Sequence, residues 1–108
     1  MLEQISATDL AAWLKDGSRA RPFLLDVREP HEFAHCAIEG AVSMPMGTIP
    51  GRTDELDAGR DIVCICHHGM RSQQVAMFLG TRGFDRIFNL SGGIHAWSEQ
   101  VDPTVPTY

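Results

Sequence analysis

The sequence is poor in three features that mark large classes of protein: cysteine, basic charge and long apolar runs. Only three of its 108 residues are cysteines, an odd number that argues against a disulfide framework and for a reducing compartment. Its formal net charge is −5, which argues against nucleic acid as the main partner because phosphate binding needs clustered lysine and arginine. No apolar run approaches the roughly 18 residues that a membrane span requires, and residues 1–5 lack the basic start of a secretory signal. We therefore expect a cytoplasmic protein that binds neither nucleic acid nor membranes.

The residues that are present are typical of one folded domain covering residues 1–108. Hydrophobic residues make up 44% of the chain, which is enough for a core and too many for a disordered protein. Short apolar segments at 23–27, 41–44, 61–66 and 87–90 predict β-strands, and helical spacing predicts helices after Ser6, at 48–56, at 70–81 and at 94–100. Because strands alternate with helices, we predict an α/β fold with a parallel sheet that helices cover on both faces.

The segment most able to carry chemistry is the Cys66 loop, residues 66–72, between the strongest predicted strand and a predicted helix. A tight turn from strand to helix directs several backbone N–H groups towards one point and so makes a nest for an anion. A cysteine at the start of such a nest is stabilised as a thiolate, the nucleophilic form. Gly69 allows the required backbone angles. Arg71 opposes the helix dipole, which makes sense if an anion occupies the nest.

The alternatives for these residues are structural. Cys66 could instead be a small buried side chain, as we expect for Cys64 one pleat deeper on the same strand, and Cys36 is expected to be inert. A metal site made from Cys64, Cys66, His67 and His68 is disfavoured, because ligands so close along a strand cannot converge on one tetrahedral centre. We therefore expect neither a metal nor a cofactor, and we expect the two histidines to add positive potential at the pocket mouth.

Three stretches resemble signatures of the rhodanese-like sulfurtransferases, in the order that the family shows, and the similarity spans about residues 5–103. The stretches are Asp26-Val27-Arg28-Glu29 with Glu32-Phe33 and Gly40-Ala41, then Cys66-His67-His68-Gly69-Met70-Arg71-Ser72, and last Asn89-Leu90-Ser91-Gly92-Gly93-Ile94-His95-Ala96-Trp97. The resemblance implies a central, mostly parallel five-stranded sheet and the transfer of a sulfane sulfur through a persulfide on Cys66. It also implies a small donor, such as thiosulfate or a persulfide, and a thiol or protein acceptor. The substrate-binding residues that it implies are His67, His68, Gly69, Met70, Arg71 and Ser72.

Two other functions remain open at this stage. Related folds use a loop from cysteine to arginine in phosphatases and arsenate reductases, but Cys66 and Arg71 enclose four residues rather than five, and the narrower nest suits one sulfur atom. Rhodanese-like domains also serve as non-catalytic binding modules. The resemblance further implies that Asp26, Arg28 and Glu32 form a structural polar cluster near the loop. We expect Trp97 to lie in the core and Arg71 to be exposed.

Overall fold

The computed structural model describes residues 2–108, in which five short strands form one sheet. The strands are β1 (Leu2–Ile5), β2 (Phe23–Asp26), β3 (Val42–Ser43), β4 (Ile62–Ile65) and β5 (Ile87–Leu90). The helices are α1 (Ala7–Lys15), α2 (Pro30–His35), α3 (Met70–Gly80) and α4 (Gly93–Gln100), with 3₁₀ helices at Met46–Gly51 and Thr53–Glu55. The strand order is β1-β5-β4-β2-β3, and neighbouring strands pair in parallel. The predicted α/β fold with a parallel sheet is therefore confirmed.

Strand β4 lies in the middle of the sheet, and all four of its residues are buried. Its side chains alternate between two cores, as the two-residue period of a strand requires. Ile62 and Cys64 join the core beneath α3, whereas Val63 and Ile65 join the core beneath α1 and α4. Trp97 lies in the second core, as predicted. Helices thus cover both faces of the sheet, as predicted.

Two elements were absent from the sequence-based assignment. Strand β1 has only four residues, two of them polar, and it exists because it pairs along its whole length with β5. Helix α2 begins three residues after the predicted strand at 23–27, in a segment with no predicted element. Pro30 occupies the first turn of the helix, and Glu29 and Glu32 form a capping box there. The helix predicted at 48–56 consists of the two 3₁₀ helices.

Arg28 is a fully buried cation that joins several parts of the chain. Its guanidinium forms an ion pair with Asp26, with 2.7 Å between Nη2 and Oδ2, and donates a hydrogen bond of 2.6 Å to the carbonyl oxygen of Cys36. It also donates to the hydroxyl of Tyr108 at 2.9 Å. These contacts join α2 to the carboxyl end of β2, and Arg28 also donates to the backbone carbonyl oxygen of Glu32 at 3.3 Å, so the three residues predicted to form a polar cluster lie together. Over residues 2–108, none of the helices is long and apolar enough to cross a bilayer.

Candidate active site

Cys66 is the first residue after β4, at the carboxyl edge of the sheet. Its side chain is almost enclosed, since the residue is only 1% exposed. The backbone N–H of Gly69 donates a hydrogen bond to the Cys66 sulfur at 3.0 Å, and the hydroxyl of Ser72 lies 3.3 Å from the same atom. Helix α3 starts at Met70, so the sulfur also lies at the positive end of that helix dipole. The site therefore offers hydrogen-bond donors and a favourable potential to a sulfur anion.

Two glycines allow the loop to take this shape. Gly69 has a φ of +101°, and a Cβ atom there would lie 3.2 Å from the backbone nitrogen of Gly92. Gly93 has a φ of +61°, and a Cβ atom there would collide with the carbonyl groups of Cys66 and His67. The turn before α4 can approach the Cys66 loop this closely only because both positions lack a side chain.

Backbone hydrogen bonds hold helix α4 against the loop. The N–H of Ile94 donates to the carbonyl oxygen of Cys66 at 2.9 Å, and the N–H of His95 donates to that of His67 at 3.1 Å. These amides belong to the first turn of α4, where no intrahelical acceptor is available to them. The loop thus satisfies the free amides of one helix while it places Cys66 at the start of another.

Ser72 and Asn89 form a buried polar pair beside the sulfur. The Ser72 hydroxyl donates to Oδ1 of Asn89, and the Asn89 amide donates to Oε1 of Gln4 at 2.9 Å and to the carbonyl oxygen of Gly69 at 3.2 Å. Because both amide protons of Asn89 have acceptors, its oxygen must face Ser72. Asn89 had no predicted role in the site. The feature of the sequence that could have drawn attention to it is a single amide side chain within an otherwise apolar strand, Ile87–Leu90.

The Arg71 side chain contacts α2 and forms an ion pair with Glu32. Its two terminal nitrogens donate to the carboxylate at 2.6 and 2.9 Å, a bidentate geometry. Glu32 also accepts hydrogen bonds from the Tyr108 hydroxyl and the Glu29 backbone, and the pKa of its carboxyl falls far below the usual range, chiefly because of Arg71. The pairing leaves the Arg71 side chain 36% exposed, so the expectation of an exposed side chain is met only in part.

The remaining predicted loop residues, as far as residues 2–108 show, make no side-chain hydrogen bond to the Cys66 sulfur. Met70 is 76% exposed on the first turn of α3. The His67 ring is stacked on the Tyr108 ring, with 3.8 Å between centroids, and the His68 ring lies 4.0 Å from that of His67. Burial lowers the pKa of His67, and the neighbouring His68 lowers it further. The expectation that both histidines add positive potential therefore fits His67 poorly at neutral pH.

The other two cysteines are enclosed by different surroundings. Cys64 is fully buried in the core below α3, and this burial raises its pKa to about 12, so its thiol stays protonated at neutral pH. Cys36 lies at the end of α2, where its sulfur donates to the carbonyl oxygen of Pro106 at 3.5 Å. All three cysteines are free thiols. The structural role expected of Cys64 is confirmed by its burial.

The chain is similar to one protein family, to several of its members and to solved structures of rhodanese-like domains. The model of the rhodanese-like domain matches residues 6–100. The chain is 37% identical over 105 residues to a protein of Allochromatium vinosum named a sulfurtransferase, and the match covers 97% of this chain and 96% of that protein. It is 42% identical over 89 residues, 79% of its length, to the Arabidopsis thaliana protein named Rhodanese-like/PpiC domain-containing protein 12, chloroplastic, of which the match spans only 30%. Among solved structures, a rhodanese-like domain protein from Staphylococcus aureus superposes with a TM-score of 0.84 at 28% identity, covering 98% of both chains.

Proposed function

The chain belongs to the rhodanese-like domain family, and we propose that it is a sulfurtransferase that carries sulfur as a persulfide on Cys66. The observation that carries the proposal is the hydrogen bond from the Gly69 backbone to the Cys66 sulfur at the start of α3. A backbone N–H at 3.0 Å stabilises an anionic sulfur without supplying a proton to it. The name of the A. vinosum relative supports the same class of reaction.

In the proposed first half-reaction, the Cys66 thiolate attacks the terminal sulfur of a donor. With thiosulfate, a new bond forms between the Cys66 sulfur and the sulfane sulfur, and the sulfur–sulfur bond of thiosulfate breaks. Sulfite leaves with the electron pair of that bond, so no oxidant or reductant is consumed. The product is a Cys66 persulfide whose terminal sulfur carries the negative charge, about 2.0 Å beyond the original sulfur.

In the proposed second half-reaction, an acceptor thiolate attacks the terminal sulfur of the persulfide. The bond between the two sulfurs of the persulfide breaks, its electron pair returns to Cys66, and the acceptor leaves as a persulfide. The Cys66 thiolate is thereby regenerated within the same hydrogen bonds. Because Cys66 is only 1% exposed, we expect small donors to react faster than bulky ones.

We propose that the Ser72 hydroxyl changes its hydrogen-bond acceptor according to whether the Cys66 sulfur is neutral or charged. Its hydroxyl can donate either to Asn89, whose oxygen is fixed, or to the Cys66 sulfur 3.3 Å away. While Cys66 is a neutral thiol, its S–H can donate to the Ser72 oxygen and the Ser72 proton can remain with Asn89. When Cys66 is a thiolate, the Ser72 hydroxyl can turn towards the sulfur. The sulfur then accepts two hydrogen bonds, one from the Gly69 amide and one from Ser72.

Arg71 supports the site through Glu32 rather than through a direct hydrogen bond to the sulfur. Its guanidinium still lies near enough to interact electrostatically with Cys66, but its terminal nitrogens are engaged by the Glu32 carboxylate. The pair connects the first turn of α3 to α2 and so fixes the end of the loop. We therefore assign Arg71 a positioning role, and we propose that backbone N–H groups such as that of Gly69 bind the anionic sulfur.

The direct test is mass spectrometry of the intact protein after incubation with thiosulfate or with a small organic persulfide. We expect a gain of one sulfur atom on Cys66, its loss on addition of a thiol acceptor, and no gain in Cys66→Ser. Cys64→Ala is the matched control, since it removes a buried thiol one pleat deeper and should still be loaded. An unmodified Cys66 with every donor would favour the non-catalytic binding module. Hydrolysis of an aryl phosphate that is lost in Cys66→Ser would favour a phosphatase.

A further inference from the structure

Three histidines, two in the Cys66 loop and one in α4, lie close together, and we propose that they bind a divalent metal ion of borderline softness, such as Zn²⁺. His67 and His68 follow β4, whereas His95 is the third residue of α4. One ring nitrogen from each residue lies within 4.8 Å of the others. The metal site that the sequence disfavours consists of Cys64, Cys66, His67 and His68, whereas the fold brings His95 to the two loop histidines as a third ligand.

Two of the ring nitrogens in this cluster lack any hydrogen-bond partner. Nε2 of His67 and Nδ1 of His95 are both buried, and neither has a partner within residues 2–108. Buried polar atoms are normally paired, so two such atoms in one cluster call for an explanation. A metal ion would accept the lone pair of a neutral imidazole nitrogen and would satisfy both atoms together.

The surroundings of the rings favour the coordinating form. Nε2 of His95 lies 3.4 Å from a carboxylate oxygen of Glu99, one turn further along α4. A histidine that ligates a metal commonly donates its other ring N–H to a carboxylate, which fixes the tautomer. Glu99 would hold the proton of His95 on Nε2 and leave Nδ1 free to bind. Tyr108 covers the face of the His67 ring, with only 5° between the ring planes, and therefore leaves the in-plane lone pair unobstructed.

The set of donors determines which ions fit. Three neutral imidazoles with an open fourth position suit Zn²⁺, Co²⁺, Ni²⁺ and Cu²⁺, whereas Mg²⁺ and Ca²⁺ prefer oxygen ligands. Zinc–nitrogen bonds of 2.0–2.1 Å imply nitrogens about 3.4 Å apart in a tetrahedral site, so the rings must close slightly from their present spacing. His68 is exposed and can rotate to do so. Binding would join α4 to the loop more tightly and should raise the melting temperature.

The test is calorimetric titration of the full chain with Zn²⁺, which is redox-inert and does not oxidise the thiols. The titration is repeated in a Cys66→Ser background to remove the possible thiolate ligand. We expect one ion per chain in both proteins and a melting temperature that rises with Zn²⁺. His95→Gln and His68→Gln should each weaken binding at least about ten-fold and should reduce the thermal shift at a fixed Zn²⁺ concentration. Co²⁺ gives a second readout, because tetrahedral coordination produces strong visible absorption.

His31→Gln is the matched control, since this exposed histidine lies on α2 outside the cluster. It should bind Zn²⁺ as the unmodified chain does. Because His68 is exposed, its variant should fold even if His95→Gln does not, and circular dichroism without metal checks both. The proposal is overturned if the chain binds no Zn²⁺, if binding disappears in Cys66→Ser, or if His68→Gln binds as tightly as the unmodified protein. Equal weakening by His31→Gln would also overturn it.

Discussion

Gly93→Ala provides a severe test of how the Cys66 loop is held. An alanine Cβ at this position would lie 2.5 Å from the carbonyl oxygen of Cys66 and closer still to that of His67. Both obstacles are backbone atoms, so relief requires the loop or the start of α4 to move by about 0.5 Å or more. Overpacking of this kind costs about 1–3 kcal/mol, and the positive φ adds about 1–2 kcal/mol for a residue with a side chain. We therefore expect the free energy of unfolding to fall by about 2–5 kcal/mol.

This loss is measured by thermal and urea unfolding, and the same samples are loaded with thiosulfate. In a domain of this size each kcal/mol corresponds to about 4–8 °C, so the melting temperature should fall by about 10 °C or more. Sulfur loading should also slow, because the displaced backbone carries Cys66. Gly80→Ala is the control: it makes the same substitution at the end of α3, where a Cβ meets nothing within 4 Å, and should stabilise by up to about 1 kcal/mol. A Gly93→Ala protein that melts within about 2 °C of the unmodified protein and loads sulfur equally fast would refute the reasoning.

Two further predictions concern the polar contacts around the loop. Because the pKa of Glu32 is lowered, its pairing with Arg71 stabilises the fold fully above about pH 4.5, and this stabilisation is lost progressively as the pH falls below that value. Glu32→Gln should therefore be less stable than the unmodified protein at pH 7. The difference in the free energy of unfolding should become smaller in acid. Urea unfolding across this range checks the expectation, and a difference that stays constant with pH would contradict it. Ser72→Ala should slow sulfur loading by about ten-fold to one-hundred-fold, since a hydrogen bond to a charged group contributes about 1.5–3 kcal/mol. Ser98→Ala is the control, because this buried serine donates to the Ile94 carbonyl oxygen within α4. Equal loading by both variants would remove Ser72 from the mechanism.

The sequence predicts the centre of this fold better than its edges. The apolar run ending at Cys66 defines β4 and α3 because burial on both faces leaves a continuous hydrophobic signal. Strand β1 carries no such signal, since its strand geometry depends on partners in β5 more than 80 residues away. Helix α2 did have a local signal, the proline and the glutamates of its capping box, but with no buried residue it lacks the apolar spacing by which helices are recognised.

The candidate site likewise has one part that the local sequence predicts and another that depends on contacts between distant segments. The placement of Cys66, Gly69 and Ser72 follows from a turn between adjacent elements, and local sequence is sufficient to predict it. The contacts of Asn89, His95 and Tyr108 depend on which segments the fold brings together, and no spacing in the sequence shows this. Arg71 illustrates the difference well: its position in the loop was predicted, while its partner on α2 was visible only in three dimensions.

The attachment of α4 to the Cys66 loop uses main-chain atoms and the absence of side chains, so it makes little demand on what residues 67 and 68 carry. The hydrogen bonds around the Cys66 sulfur and the side chains at positions 67 and 68 are therefore separable features of the fold. Under the proposed function, exchanging the two histidines for other polar residues should change which donors and acceptors react, while the Cys66 sulfur keeps its hydrogen-bond partners. Two substitutions would then alter the choice of thiol partner without rebuilding the loop.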